Sequence, residues 1–189
     1  IKAGLITDEL KPILMNRITF PIYTTNNTLV GFSGRDITNR SEAKYLHSPS
    51  TSIFNKSTIL YNFNNVYKNN PERIIMVEGF MDCIAYHVAD HINTVATMGT
   101  ALTSDSLNLL ANVSKLKTVI LSFDNDNAGV QATINNGRTL LENGFKVSVV
   151  NYDKLPYKDA DEILSKLGKT GIDNIVNNLV DFLTYLISK

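Results

Sequence analysis

The sequence contains a single cysteine and no long hydrophobic run. Each of these features excludes a class of protein. Cys83 has no second cysteine to pair with, so an internal disulfide framework is excluded and a reducing compartment such as the cytoplasm is expected. No run approaches the roughly 20 apolar residues that a membrane-spanning helix needs. The chain begins without an initiator methionine or a signal peptide, so we expect a piece of a longer protein.

Several common catalytic motifs are also missing. His87 and His91 are four residues apart, but no glutamate lies between them as an HExxH zinc motif requires. His47 has no neighbouring metal ligand, and Cys83 lies in an apolar helical pattern that favours inert core packing. The sequence contains neither the phosphate loop GxxxxGK[ST] nor the dinucleotide fingerprint GxGxxG. Zinc, P-loop and dinucleotide chemistry are therefore not predicted.

The formal net charge of the chain is zero, although the two halves of the chain carry net charges of opposite sign. Residues 1–77 contain nine Lys and Arg against five Asp and Glu, whereas residues 78–189 contain nine against thirteen. A basic half beside an acidic half suits a polyanion platform next to a metal pocket, and ordinary surface scatter is the alternative. With 189 residues, 43% of them hydrophobic, the chain can bury one large core or two small ones.

From residue 73 onward, strand and helix patterns alternate. Apolar runs predict strands at 73–78, 93–97, 117–123 and 145–151, followed by helices at 80–90, 104–113, 128–143 and 160–167, and then by a last amphipathic helix at 172–187. This alternation indicates an α/β protein whose parallel sheet is covered by helices on both faces.

The first 70 residues have a different pattern. Residues 1–16 are weakly patterned. The pattern predicts two strands at 18–23 and 28–33, a mostly loop-like segment at 35–57, and a polar helix at 58–69. Asn26 and Asn27 tolerate the positive φ of a hairpin turn, and Pro21 favours a sheet edge or a bulge. We expect a small mixed α+β subdomain over 1–70, a boundary near 66–72, a catalytic domain over 71–168 and a helical segment over 169–189.

Acidic residues follow three predicted strands at the point where each strand ends. Glu78 follows the first, Asp124 and Asp126 follow the third, and Asp159 and Asp161 follow the fourth. The carboxyl ends of parallel strands meet at one sheet edge, where open α/β proteins bind ligands. Several carboxylates together favour Mg²⁺ or Mn²⁺, ions that support phosphoryl chemistry. Helix capping explains one acid of each pair equally well, but the coincidence of all three groups favours a metal site.

Basic, aromatic and hydroxyl residues are interleaved between residues 35 and 57. Arg35, Lys44, Tyr45 and Lys56 belong to this segment. Such a composition suits single-stranded nucleic acid, through phosphate pairing and base stacking. A solvated loop explains the same composition.

Several motifs together resemble the DnaG-type bacterial primases. The segments 78–82 (EGFMD), 96–102 (ATMGTAL) and 123–129 (FDNDNAG) resemble their Toprim domain, and the segments 16–22 (NRITFPI), 30–35 (VGFSGR), 44–49 (KYLHSP) and 53–56 (IFNK) resemble their N-terminal subdomain. The resemblance runs in order from about residue 4 to residue 168. It implies a DNA-directed RNA polymerase, a nucleotidyltransferase that makes short RNA primers on single-stranded DNA during replication.

The resemblance also implies roles for individual residues. It implies catalytic roles for Glu78, Asp82, Asp124 and Asp126. It implies that two or more Mg²⁺ or Mn²⁺ ions are bound by Glu78, Asp124, Asp126, Asp159 and Asp161. It implies that nucleic acid is bound along a basic ridge by Arg17, Arg35, Lys44, Tyr45 and Lys56. The implied partners are template DNA, RNA primer, ribonucleoside triphosphates and, through a domain absent from this chain, the replicative helicase. A zinc-binding domain would precede the chain, so zinc is not expected within it, and we expect this piece to be monomeric.

Four positions depart from the family pattern. Asn125 and Tyr157 stand where glycine is usual, Ala160 where proline is usual, and His47 where asparagine is usual. Asparagine tolerates positive φ, so the turn at residue 125 should survive, whereas the loop before 160 should be reshaped. Two other functions stay open: a Toprim nuclease or topoisomerase, and a catalytically silent nucleic-acid-binding module. All six acidic residues of the family pattern are present, which argues against the catalytically silent module.

Overall fold

Two sheets of different construction build the protein in a computed structural model that describes residues 5–152 and 155–189. The smaller sheet is antiparallel and consists of β1 (Arg17–Tyr23), β2 (Leu29–Asp36) and β3 (Tyr45–His47) in that order. The larger sheet consists of β4 (Arg73–Val77), β5 (Thr94–Ala96), β6 (Thr118–Ser122), β7 (Lys146–Val150) and β8 (Leu179–Asp181). Its order is β5-β4-β6-β7-β8, and only β8 is antiparallel to its neighbour. Residues 1–4 of the weakly patterned first segment lie outside the described residues.

Helices cover both faces of the larger sheet, which confirms the predicted α/β class. In the described ranges these are α1 (Phe63–Asn69), α2 (Phe80–Val88), α3 (Ser104–Ala111), α4 (Asn127–Glu142), α5 (Ala160–Asn177) and α6 (Phe182–Ile187). One buried core contains side chains of α1, α3, α4 and α6, and a second contains those of α2 and α5. A third cluster, which includes Phe80, lies against the smaller sheet. No helix of the described ranges is long and apolar enough to cross a membrane.

The predicted strands and helices between 73 and 167 are confirmed, with ends that differ by one or two residues. The predicted helix at 160–167 ends at Gly168, which has a φ of 66° and bends α5. Helix α1 occupies part of the polar helix predicted at 58–69. Its Phe63 and Val66 share a core with Ile74 and Met76 of β4. The proposed domain boundary at 66–72 stays a prediction.

Two predictions for irregular segments were wrong. The helix predicted at 172–187 is interrupted by β8, which pairs with β7, and the loop predicted at 35–57 contains β3, which pairs with β2. In both places a short segment satisfies the open hydrogen-bonding edge of a neighbouring strand, a long-range effect that local periodicity does not report. Asp181 then caps α6 by accepting a hydrogen bond from the backbone N–H of Leu183 at 2.9 Å.

The first hairpin forms as predicted, and asparagine provides its turn. Asn27 has a φ of 60°, and β1 containing Pro21 lies at the edge of its sheet, with a register shift between Ile22 and Tyr23. Asparagine has positive φ at further turns as well, namely Asn16, Asn39, Asn62 and Asn70. The abundant asparagines therefore serve partly as left-handed turn residues, a conformation that most side chains avoid.

Helix α6 packs closely on α4 where Gly137 meets Phe182. A Cβ atom at Gly137 would overlap the Phe182 ring, which is itself buried. We expect Gly137→Ala to lower the free energy of unfolding by roughly 1–3 kcal/mol, because overpacking forces the ring out of its site. Chemical denaturation measures this difference.

Asn135→Ala is the matched control, since Asn135 is exposed on the same helix and alanine favours helix. Equal stability of the two variants would contradict the packing of α6 against α4.

Candidate active site at the carboxyl edge of the larger sheet

The strand order creates a crevice between the loops that follow β4 and β6. The chain leaves β4 toward β5 on one side, whereas β6 and β7 continue on the other side. Open α/β sheets bind ligands at such a reversal, beyond the carboxyl ends of the strands. Val77 pairs with Ser122 at the ends of the two strands. The residues just beyond them, Glu78 and Asp124, therefore reach the same edge.

Phe80, the first residue of α2, connects this edge to the smaller sheet. Its ring stacks on Phe20 with centroids 4.7 Å apart and on Tyr45 with centroids 5.6 Å apart, and it meets Tyr61 edge-on at 4.7 Å. Aromatic pairs at these separations contribute more than area burial alone. Because Phe80 is two residues after Glu78, the same contact seats the smaller sheet opposite the acidic edge.

A cavity of about 430 Å³ lies between the acidic edge and the smaller sheet, a size typical of small-molecule sites. Its basic wall contains Arg35, Lys44, Tyr45, His47 and Lys56, and its acidic wall contains Glu78, Asp82, Asp124, Asp159 and Asp161, together with Lys158. The structure therefore brings most of the predicted site residues to one cavity, although their roles stay predictions. Arg17 and Asp126 are not among the residues that line it.

Arg17 has partners within the smaller subdomain. Its guanidinium donates hydrogen bonds to the carbonyl oxygens of Gly34 and Ala43 at 3.0 Å and to Ser41 Oγ at 2.6 Å. These contacts hold the loop that leads into β3. Its predicted contact with nucleic acid stays a prediction.

The first acidic loop joins β6 to α4. Asp126 Oδ1 accepts the backbone N–H of Gly129 at 2.9 Å, so Asp126 caps α4, as the simpler interpretation expected. A Cβ atom at Gly129 would overlap the backbone of Asp124, so only glycine allows the loop to fold this closely onto the helix. Asn125 does not have the positive φ that was considered for it; its backbone N–H donates to Lys158 O at 2.7 Å.

The second acidic loop precedes α5 and is tied to α2. Asp159 Oδ1 accepts the backbone N–H of Glu162 at 2.8 Å and so caps α5. The backbone N–H of Asp161 donates to Asp82 Oδ1 at 3.3 Å. Together with the contact between Asn125 and Lys158, these hydrogen bonds hold the three acidic segments against one another.

Gathering these carboxylates makes ionisation unfavourable. Burial first, and then the charges of Asp159 and Asp124, raise the pKa of Asp82 to about 7. Burial, followed by Asp124 and Asp126, also raises the pKa of Glu78. Glu78 Oε1 is buried and has no hydrogen-bond partner among the described residues. A cation in this cavity would offset both costs.

The chemistry of these side chains fits a hard divalent ion. Oxygen donors dominate the acidic wall, and such a donor set prefers Mg²⁺ or Mn²⁺. In the described residues no three acidic, histidine or cysteine side chains are grouped closely enough to hold one ion. A cation already stands at part of the site, since Lys158 Nζ lies 2.9 Å from Asp124 Oδ2 and 3.5 Å from Asp126 Oδ2. The carboxylates would therefore have to converge to coordinate a metal.

Lys158, Phe80 and Met98 are among the cavity residues that were not predicted as site residues. Lys158 stands directly before the second acidic pair, and that adjacency was the available signal. Phe80 looked like ordinary core. Met98 has a φ of 58°, and its backbone N–H donates a hydrogen bond to Glu78 O at 3.0 Å, which holds the Glu78 segment. Local periodicity does not reveal a strained backbone of this kind.

Known proteins match the chain along nearly its whole length. A family model described as the N-terminal domain of the DNA primase catalytic core matches residues 2–67, and one described as Toprim-like matches residues 75–164. A DNA primase of Clostridium acetobutylicum is 40% identical over 194 aligned positions, which cover 100% of this chain and 32% of that protein. The chain thus spans about a third of the length of this curated relative.

Solved primase structures share the fold. One is the structure of the Aquifex aeolicus primase with its zinc-binding and RNA polymerase domains. The match covers 100% of this chain and 47% of the Aquifex chain, with a TM-score of 0.85 and 28% sequence identity. Another is a DnaG primase catalytic domain bound to single-stranded DNA. That match covers 99% of this chain and 60% of the other chain, with a TM-score of 0.83 and 29% sequence identity. The similarity includes both sheets.

The raised pKa of Asp82 predicts a pH-dependent stability difference in metal-free buffer. Since the folded-state pKa of about 7 exceeds the ordinary value of 3.8, the Asp82 contribution to stability is present at low pH and is lost as the pH rises through 7. We expect Asp82→Asn to be more stable than the wild type at pH 8 by up to about 4 kcal/mol. The gain should shrink toward pH 5. Chemical denaturation in EDTA measures it.

Asp105→Asn is the matched control, because Asp105 is exposed on α3 and does not line the cavity. The assignment fails if both variants show the same dependence of stability on pH.

Proposed function

The chain belongs to the DnaG-type DNA primase family, and from this premise we propose that it is a catalytic core that makes RNA primers. The proposed reaction is templated nucleotidyl transfer on single-stranded DNA, with ribonucleoside triphosphates as substrates. The observation that carries the proposal is the cavity in which an acidic wall faces a basic wall. A metal-dependent polymerase needs this combination, because the same site must hold cations and polyphosphate.

The acidic wall has the metal-binding role in this proposal. Glu78, Asp124 and Asp126 would hold one ion, and Asp159 and Asp161 would contribute to a second. Bound there, Mg²⁺ or Mn²⁺ supplies positive charge for the triphosphate and favours ionisation of an attacking 3′ hydroxyl. Asp82 supports the arrangement by accepting the backbone N–H of Asp161. The unpartnered Glu78 Oε1 supports a cation beside it.

The basic wall has the nucleic-acid role. Arg35, Lys44 and Lys56 line the cavity opposite the carboxylates, where they can pair with phosphates of template or nucleotide. The Tyr45 ring is half-buried against Phe80 and offers a surface for base stacking. We propose template DNA, RNA primer and ribonucleotides as partners, and the replicative helicase as a partner of the longer protein. The proposed location is the cytoplasm, at the replication fork.

Primer extension tests the proposal directly. The chain is incubated with Mn²⁺, ribonucleotides and end-labelled single-stranded DNA that carries an annealed RNA primer, and the products are sized. We expect the wild type to extend the primer and Glu78→Gln to lose extension at least about a hundredfold, since a group at the reacting centre is removed.

Glu142→Gln is the control for a general effect of losing a carboxylate, because Glu142 is exposed at the end of α4. Shortened strands would favour the nuclease interpretation. No extension by the wild-type chain would contradict the proposal for this chain.

Lys44→Ala tests the basic wall through its salt dependence. We expect the variant to bind single-stranded DNA more weakly and its slope of log K against log salt to fall by about one, because one phosphate contact is lost. Fluorescence anisotropy at several salt concentrations measures both. Lys117→Ala is the control: Lys117 is exposed before β6, at the opposite edge of the sheet. An unchanged slope for Lys44→Ala would remove this residue from the binding surface.

A further inference from the structure

We propose that Lys158 is a built-in counter-ion of the metal-binding carboxylates, and that a divalent ion must displace its ammonium group to bind. The inference rests on the proposed metal role of the acidic wall. It adds a residue that sets metal affinity without itself touching the metal.

The position of the ammonium group is the first observation. Lys158 Nζ lies 2.9 Å from Asp124 Oδ2 and 3.5 Å from Asp126 Oδ2, so it bridges the two acids that follow β6. A divalent ion bound by both carboxylates would need the same oxygen atoms. The ammonium and the ion therefore compete for one place.

The backbone of Lys158 is fixed while its side chain is free to leave. The carbonyl oxygen of Lys158 accepts the N–H of Asn125 at 2.7 Å, and its own N–H donates to Glu162 Oε2 at 2.8 Å. The side chain, by contrast, is 52% exposed. The long flexible stem can swing its ammonium into solvent without disturbing either acidic loop.

Lys158 balances part of the negative charge of the carboxylates that surround it. In the described part of the chain, the ion pairs that involve acids of the cavity are those of Lys158. The other cations that line the cavity, Arg35, Lys44 and Lys56, belong to the opposite wall. Without a metal, Lys158 thus reduces the repulsion among the gathered carboxylates, and with a metal this help is no longer needed.

Competition of this kind has two measurable consequences. Removing the ammonium should strengthen metal binding, because the ion no longer has to displace a cation. It should also destabilise the metal-free protein, because the carboxylates lose their counter-ion. The two effects are linked, since whatever stabilises the metal-free state opposes binding by the same amount.

The experiment uses the whole chain with Mn²⁺ alone and no nucleotide or DNA. Free Mn²⁺ is followed by electron paramagnetic resonance during titration of the wild type, Lys158→Met and Lys158→Arg. We expect Lys158→Met to bind Mn²⁺ about three- to tenfold more tightly, the range of a partly exposed charge interaction. Lys158→Arg keeps the positive charge and should stay near the wild type.

Thermal unfolding gives a second readout. Lys158→Met should unfold at a lower temperature than the wild type in EDTA, and the difference should disappear or reverse in saturating Mn²⁺. Lys169→Met is the control, because Lys169 forms an exposed ion pair with Asp90 at 3.0 Å outside the cavity. Its effect on stability should be the same with and without Mn²⁺.

Equal or weaker Mn²⁺ binding by Lys158→Met would overturn the inference, as would a stability loss that Mn²⁺ does not change. A wild type that extends primers while Lys158→Met binds Mn²⁺ normally would sink this inference and leave the proposed function intact. A wild type that binds no Mn²⁺ would remove both.

Discussion

The constraint on which the structure depends is the repulsion among carboxylates gathered at one sheet edge. Parallel strands end side by side, so their following loops cannot avoid one another, and here those loops carry acids. Four of these acids are held by specific contacts, whereas the buried Glu78 Oε1 has no hydrogen-bond partner among the described residues. Asp126 and Asp159 cap helices, Asp82 accepts a backbone N–H, and Lys158 bridges Asp124 and Asp126. Capping and metal binding, which the sequence left as rivals, are therefore compatible uses of the same loops.

An aromatic contact determines how the second half of the site is attached. Phe80 and Met98 share a buried cluster with Phe20 and Ile22 of the smaller sheet. Phe80 stacks with residues of β1 and β3 while its backbone begins α2. Arg35 of β2 and Lys44, which directly precedes β3, line the cavity opposite the acids. Among the described residues no ion pair joins either of them to those acids. The basic wall is therefore available to a ligand, whereas on the acidic wall Lys158 already pairs with Asp124.

The sequence predicts the larger sheet well because its information is local. Runs such as 74–77 are apolar throughout, which matches strands buried on both faces, and the loops after them contain the acids. What periodicity missed depends on distant partners. Leu179–Asp181 becomes a strand only because β7 has an open edge, and Tyr45–His47 only because β2 does. Lys158 was missed for the same reason, since its role arises from acids that follow a different strand. The structural partners of Arg17 (Gly34 and Ser41) are likewise distant in sequence, and no motif indicates them.

The use of asparagine at left-handed turns has a consequence for the unfolded chain. Glycine adopts these conformations without strain, but it also adopts many others, and folding must remove that freedom. Asn16, Asn27, Asn39, Asn62 and Asn70 reach the same backbone region from a narrower ensemble. Each substitution of this kind lowers the conformational entropy of the denatured state, at the cost of some local strain. Folding therefore has less conformational freedom to remove at these five positions than glycine would leave there.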